Sequence, residues 1–292
     1  MNFMQANLPY LLAGISVGGQ YALIAIGYTM VYGILRLINF AHGDVFMIAG
    51  LIMVYAAASL PLYIAIPLVL VVTVVIGFLI ERVAYKPLRS APRMSVMISA
   101  IGVSYLLQNL ALYVTGGLSK MYPTIPFISD SVTIGTATTK MVTLITPVLT
   151  LVLVVVLVLF IQKTKIGMAM RAVSKDFETS QLMGIKINSV ISATFIIGSF
   201  LAAVGSLLYF TNYAGVIPTS GAMPGLKAFV AAVFGGIGSI PGAVIGAFFD
   251  RHLRKHHQGP GLDHLLRRLY LRPVDHHPHR QAHRPIWRKV HG

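Results

Sequence analysis

GISVGGQYALIAIGYTMVYGILRLINFAHGDVFMIAG, residues Gly14 to Gly50, is the stretch that decides the fold. No charged residue precedes Arg36. Arg36, Asn39, His42 and Asp44 then fall within nine positions, and the apolar sequence resumes. A simple anchor helix would end at Arg36 and lead into a soluble domain. Here polar groups sit at the break between two membrane-grade segments. Such groups are costly near hydrocarbon and face a protein interior or a pathway. The pattern points to a transporter or channel.

Composition agrees. The chain is 56% hydrophobic and 11% charged, with a mean hydropathy of +0.77, far from the roughly 25% charged of soluble domains. Apolar runs recur at Leu8–Leu35, Phe40–Leu60, Leu62–Ile80, Met94–Val114, Met141–Ile161 and Val190–Phe210, with a Gly-rich run from Ala222 to Phe249. About 20 residues cross a bilayer as a helix. Isolated strands leave their backbone unsatisfied in lipid, and the runs are too uniformly apolar for barrel strands. The reading is an all-α, polytopic bundle of about 7–8 transmembrane helices. No Lys or Arg precedes Arg36, so the positive region of a cleavable signal peptide is missing and the first helix is expected to be retained. The absence of cysteine removes disulfides, thiolate metal sites and Cys nucleophiles together.

Ten basic residues fall in three alternate connections: Arg36; Arg82, Lys86, Arg89 and Arg93; then Lys163, Lys165, Arg171, Lys175 and Lys186. The positive-inside rule makes these cytoplasmic and places the N-terminus outside. Thr115–Thr139 becomes an external loop, in which the partly alternating ISDSVTIG reads as a short β-hairpin. The longest cytoplasmic segment, 162–189, reads as short amphipathic helices with Met168, Ala172, Phe177, Leu182, Met183 and Ile185 along one side. Asp176 and Glu178 suit the start of its second helix, and Gly184 suits its end. The segment either docks a cytoplasmic partner or lies on the membrane surface.

No phosphate-cradling G-x-x-x-x-G-K-[ST] occurs. FGGIGSIPG has Pro241 where a dinucleotide fingerprint needs Gly, and reads as close helix packing or a helix broken at 238–241. His42, the only histidine before residue 250, has no second ligand at metal spacing. We expect no catalytic residues, no metal and no cofactor. Asp44 reads in two compatible ways: a cap for the helix Val45–Leu60, or a polar group on a transport path. Gln20 and Tyr21, the polar pair inside the first helix, either face a pore or bond a neighbouring helix. Gly14 with Gly18, and Gly198 with Ala202, have the four-residue spacing of plain helix contacts.

Four stretches together resemble the permease subunits of branched-chain amino acid ABC importers, the H-type subunit in particular. They are GGQYALIAIGYTMVYGILRLINFAHGD (Gly18–Asp44), KTKIGMAMRAVSKDFETSQLMGI (Lys163–Ile185), FIIGSFLAAVGSLLY (Phe195–Tyr209) and GLKAFVAAVFGGIGSIPGAVIGAF (Gly225–Phe248). The resemblance covers about residues 5–249. It implies a multi-pass permease domain, 1–249, in a bacterial or archaeal inner membrane. Its implied partners are a second permease in a homo- or heterodimer, two cytoplasmic ATP-binding subunits that hydrolyse ATP for it, and a periplasmic or extracellular substrate-binding protein. Gln20, Tyr21, Asn39, His42 and Asp44 become translocation-path candidates, with the last three at the inner end. Within 162–189, Arg171, Glu178, Thr179, Ser180 and Gly184 become candidates for ATPase coupling. The family's Glu-Ala-Ala…Gly signature reads Glu178, Thr179, Ser180, Gly184, with both Ala positions still small. A urea or amide permease of the same family is the related alternative. An ATP-independent channel or secondary transporter is the alternative from another class.

At Asp250 the chemistry changes. Residues 250–292 carry 10 Lys and Arg, three Asp and 9 of the 10 His. This composition suits a tail on anionic lipid or a His-rich metal tract; no motif supports nucleic acid. A third reading uses the genetic code. The resemblance implies a further apolar helix and an ending near R-P-T-G-L-F-G. With one extra base before codon 250, DRHLRKHHQ can share its DNA with I-G-I-F-E-N-I-T-K. RPVDHHPHR can likewise share it with an apolar run such as V-L-L-I-I-I-L-I-V, and QAHRPIW with R-P-T-G-L-F-G. The expectation is a frameshift that replaces the last transmembrane helix and C-terminus.

Overall fold

The computed structural model describes residues 3–257, apart from 90, 135, 136 and 237. The chain divides into two units, Met1–His252 and Leu253–Gly292, and the fold is that of the first. Its elements in order are α1 (Phe3–Leu35), α2 (His42–Ser59), α3 (Leu62–Ile80) with a π-helical turn at Glu81–Tyr85, and α4 (Arg93–Thr115). Then come β1 (Lys120–Met121), β2 (Ser131–Ile134), β3 (Ala137–Lys140), α5 (Met141–Lys163), α6 (Lys165–Lys175) and α7 (Phe177–Leu182). The rest is α8 (Ile187–Asn212), β4 (Gly215–Val216), α9 (Ala222–Phe234) and α10 (Ile240–His257). Among the described residues, six helices are long and apolar enough to cross a membrane: α1, α2, α3 with its π turn, α4, α5 and α8. The shorter α9 is apolar too.

The helix α1 is apolar all round, and a helix of that kind is buried. Of the apolar window within Leu12–Leu35, 89% is buried, against 17% for that of α5. Thus α1 is the central strut, packed against α8, α5 and α9, while α2 and α3 flank α8. Small residues permit the closest approaches. A Cβ on Gly198 of α8 would lie 3.6 Å from Gly27 Cα, and one on Gly18 would lie 2.8 Å from the ring of Phe248. Gly14 meets nothing within 4 Å, so its spacing to Gly18 makes no pair within the chain.

One end of the bundle is basic. There Arg36 Nη2 donates to Ser174 O at 3.1 Å, the Arg89 guanidinium meets Asn188 Oδ1, and Tyr85 Oη donates to Asn39 Oδ1 at 2.8 Å. The opposite end carries both small sheets. β2 and β3 form the hairpin expected from ISDSVTIG, Ser131 opposite Lys140, and β1 pairs antiparallel with β4. Lys140 Nζ closes that end by donating to Thr211 O and Asn212 O, each at 3.3 Å.

Two crossings are made partly of non-helical chain. Arg36 ends α1 in the left-handed region, φ 54°, a conformation that costs a non-glycine residue about 1–2 kcal/mol. Its side-chain bond to Ser174 O offsets part of that cost. Residues 36–41 then climb back into the bundle before α2 starts at His42. Near the opposite end, the chain after β4 likewise runs inward before α9 starts. α9 and α10 are separated by a break holding Gly236 (φ 85°) and Gly238 (φ 103°), conformations that suit glycine alone. The Gly-rich run is therefore two helices, split as its glycines indicate. They pack so closely that a Cβ on Gly235 would overlap the carbonyl of Gly242.

Candidate translocation cleft and coupling surface

Ser104 is the twelfth of the 23 residues of α4, which puts it about 16 Å from either end of that helix. Its Oγ donates to Asp44 Oδ2 at 2.5 Å. Gln108, one turn on, donates from Nε2 to Asp44 Oδ1 at 3.1 Å and to Ser104 Oγ at 3.2 Å. Asp44 therefore lies at mid-depth in the bundle, 2% exposed. It does not cap its helix. α2 starts at His42 with Ala41 at the N-cap and no side-chain cap bond, and both Asp44 oxygens bond across to α4. The capping reading is corrected: the turn His42-Gly43-Asp44 is already helical, so the carboxylate points away from the open amides.

A cleft of about 330 Å³ opens beside Asp44. The start of α2 is its floor; α4 supplies Ile101, Ser104, Tyr105 and Gln108, and α9 supplies Leu226 and Phe229. Glycine builds the floor. A Cβ on Gly43 would lie 2.7 Å from Gly221 O, and one on Gly225 3.0 Å from Gly43 Cα and 3.1 Å from Tyr28 Oη. The backbones of α2 and α9 thus meet directly, and both helices start at this depth.

The five sequence-derived path residues are not one cluster. Asp44 lines the cleft. His42 lies behind it, 2% exposed, with its ring 4.9 Å from that of Tyr28 and its Nε2 without a hydrogen-bond partner. A Cβ on Gly27 would overlap that ring. Asn39 is held at the basic end by Tyr85, so the three polar residues span from the end of the bundle to its middle instead of sharing the inner mouth. Gln20 bonds a neighbouring helix: its Nε2 donates to Leu208 O at 3.3 Å. Tyr21 is buried with Lys227 Nζ 5.9 Å from its ring centre. Neither Gln20 nor Tyr21 lines the cleft.

Sequence reading missed Ser104, Gln108 and Glu81. Gln108 had a signal, because an amide inside an apolar run is itself a marked feature. Glu81 also had one: it is the only carboxylate between Asp44 and Asp130. It is fully buried, paired with Arg89 and bonded by Ser192 Oγ at 2.8 Å.

At the basic end, α6 and α7 form a second surface. Thr164 caps α6 by accepting from Gly167 N at 3.0 Å, and Gly167, Met170 and Val173 are its buried face. The stripe read from the sequence is divided: Met168, Leu182 and Met183 point outward, at 50%, 87% and 79% exposed, while Ala172 and Ile185 are half-buried. Helical spacing alone fits either face, and contact with α5 and α8 selects the one with glycine. Asp176 caps α7 by accepting from Thr179 N at 3.0 Å and Thr179 Oγ1 at 2.5 Å. These bonds hold its carboxyl below the usual carboxylate range. Ser180 is buried, its Oγ donating to Asp176 O at 2.6 Å. Gly184 ends the turn at φ 82° with nothing within 4 Å of a Cβ placed there. Glu178, Thr179 and Arg171 are exposed, Arg171 donating from Nη2 to Gln162 O at 3.3 Å. The result is a capped knob, packed on α5 and α8 through α6, that exposes Glu178, Leu182 and Met183.

Residues 10–252 match the family described as "Branched-chain amino acid transport system / permease component". The chain is 42% identical over 252 residues to the high-affinity branched-chain amino acid transport system permease protein BraD of Pseudomonas aeruginosa, covering 82% of each chain. It is 40% identical over 253 residues to the permease protein LivH of Escherichia coli K12, again covering 82% of each. The ribose import permease protein RbsC of Haemophilus influenzae is 26% identical over 77% of this chain and 70% of its own. No solved structure matches. With a multi-pass bundle and a mid-depth cleft holding a buried carboxylate, the chain, matched over most of its length by transport permeases, belongs to the branched-chain amino acid transport system permease family.

Proposed function

We propose that this chain is the membrane-spanning subunit of an ATP-driven importer of branched-chain amino acids. The observation that carries the reading is the α6–α7 knob: Leu182 and Met183 stand 87% and 79% exposed beside Glu178 and Gly184, at the basic end. Two large apolar side chains on a capped, otherwise polar turn are the anchors of a docking surface. The occupant in this reading is a cytoplasmic ATP-binding subunit, with the basic end in the cytoplasm by the positive-inside rule and the N-terminus outside. The names of the relatives supply the amino-acid class. A second permease, identical or a sister, packs beside this one in the reading, covering the exposed Tyr105 and Leu226 at the rim of the Asp44 cleft. A binding protein delivers the substrate to the opposite end.

The test uses a property of the chain itself. It contains no cysteine, so Leu182→Cys introduces a single reactive thiol. We expect a bifunctional thiol reagent to join it to the co-expressed ATP-binding subunit. Labelling by a lipid-dissolved thiol reagent, with no adduct to that subunit, would instead make the segment an interfacial helix and sink the docking reading.

A further inference from the structure

We propose that the Asp44 carboxylate, held by Ser104 and Gln108, is a mid-membrane subsite for the ammonium group of an amino-acid substrate. The inference rests on the import reading above and names the part of the cleft that meets the cargo.

Charge is the first argument. The only ion pair among the described residues is Arg89–Glu81, so none of the described cations lies within pairing distance of Asp44. Its two bonds come from a neutral hydroxyl and a neutral amide. A buried carboxylate is stabilised by a cation together with hydrogen bonds, and this one has only the second. The Glu81 site shows the complete version in the same chain, with Arg89 and Ser192 on the two oxygens.

Geometry is the second. A carboxylate has about four acceptor directions. Ser104 and Gln108 use one on each oxygen, and both donors come from α4, so acceptor capacity remains for a donor on the cleft side. An alkylammonium carries three donors. The cleft volume of about 330 Å³ falls in the ~300–1,000 Å³ range of small-molecule sites. Phe40, Ile101, Leu226 and Phe229 supply apolar walls for a branched side chain. Gly43, Gly221 and Gly225 leave no side chain of their own between α2 and α9.

The position fits transit. Asp44 is midway along α4, so a ligand there has left one side and not reached the other. A subsite that satisfies only the ammonium is weak, as release requires.

The experiment uses the permease with its partner permease in lipid nanodiscs and a lipid-soluble carbodiimide, which modifies carboxyl groups in apolar surroundings. Mass spectrometry follows the peptides bearing Asp44 and Glu81. Leucine and 3-methylbutylamine are expected to slow Asp44 modification severalfold, with 4-methylpentanoate, which lacks the amine, without effect and Glu81 unaffected by all three. Equal protection by 4-methylpentanoate, protection by sodium but by no amine, or no protection by any amine overturns the proposal. A second arm needs no reagent: Asp44→Asn is expected to cut leucine uptake by the complete transporter at least about tenfold, and Asp44→Glu by less. Uptake by Asp44→Asn equal to wild type overturns the proposal as well. If amines protect Asp44 while the wild-type transporter takes up no leucine, the branched-chain reading fails and the ammonium subsite stands.

Discussion

Glu81 joins the π turn after α3 to α8 through a buried charge. It is fully buried with Arg89 and Ser192 on its oxygens, and Arg89 also reaches Asn188 of α8. Removing one partner of a buried ion pair costs about 3–5 kcal/mol, because the other charge is left uncompensated. Glu81→Ala is therefore expected to lower the thermal unfolding midpoint of the detergent-solubilised protein sharply, while Glu81→Gln, which keeps one acceptor oxygen and the side-chain volume, loses less. Gly27 gives a steric prediction at the same scale. Its Cβ would overlap the His42 ring, and overpacking costs about 1–3 kcal/mol. Gly27→Ala should destabilise, and Gly14→Ala, with nothing within 4 Å, should not; parallel melting curves decide it. Polarity in an apolar context made Asp44 and His42 legible in the sequence. The pairing of Asp44 with Ser104 and Gln108 was not, because they lie 60 and 64 residues away from it and only packing shows that they share its depth.

The α6–α7 element is a capped turn, and its cap titrates. Asp176 is fully exposed, and the Thr179 bonds lower its pKa, so the stabilisation is present above the unfolded value near 4 and is lost as pH falls through the lower folded value. Protection factors for amide exchange across 177–183, taken relative to the intrinsic rate at each pH, should fall once pH drops through that range, and Asp176→Asn, which cannot titrate, should remove the pH response. Gly184 offers a cleaner functional probe. A side chain there meets nothing within 4 Å but must hold φ 82°, a strain of about 1–2 kcal/mol. Gly184→Leu should leave the bundle assembled, as judged by size-exclusion elution, and reduce uptake; unaltered uptake would show that the knob is not read by a partner. The element's ends were legible because Asp176 and Gly184 act locally. Its buried face was not, since a helical repeat names a stripe without saying which side the rest of the bundle covers.

The unit Met1–His252 is built on a central helix, α1, surrounded by less buried ones, with the apolar windows of α3, α4 and α5 only 28%, 22% and 17% buried. Membrane class, helix runs and the basic end were legible because hydropathy and charge act on whole segments. The two crossings that begin as non-helical chain were not, since residues 36–41 and 217–221 look like ordinary connections until their depth is known. The frameshift expected at codon 250 falls on a tail whose residues from 258 lie outside those described. We propose it still, supported by the family match ending at residue 252. Resequencing should find the frame that encodes R-P-T-G-L-F-G; a gene that encodes the present residues through His291 without a shift would refute it. The central claim is that partner-hydrolysed ATP drives amino-acid flux through this bundle. Its most direct test is leucine uptake into proteoliposomes holding the permease pair, the ATP-binding subunits and the binding protein. Uptake that requires ATP and the binding protein, and that is reduced in Gly184→Leu, is the expected result. Leucine flux that proceeds equally without ATP would contradict it.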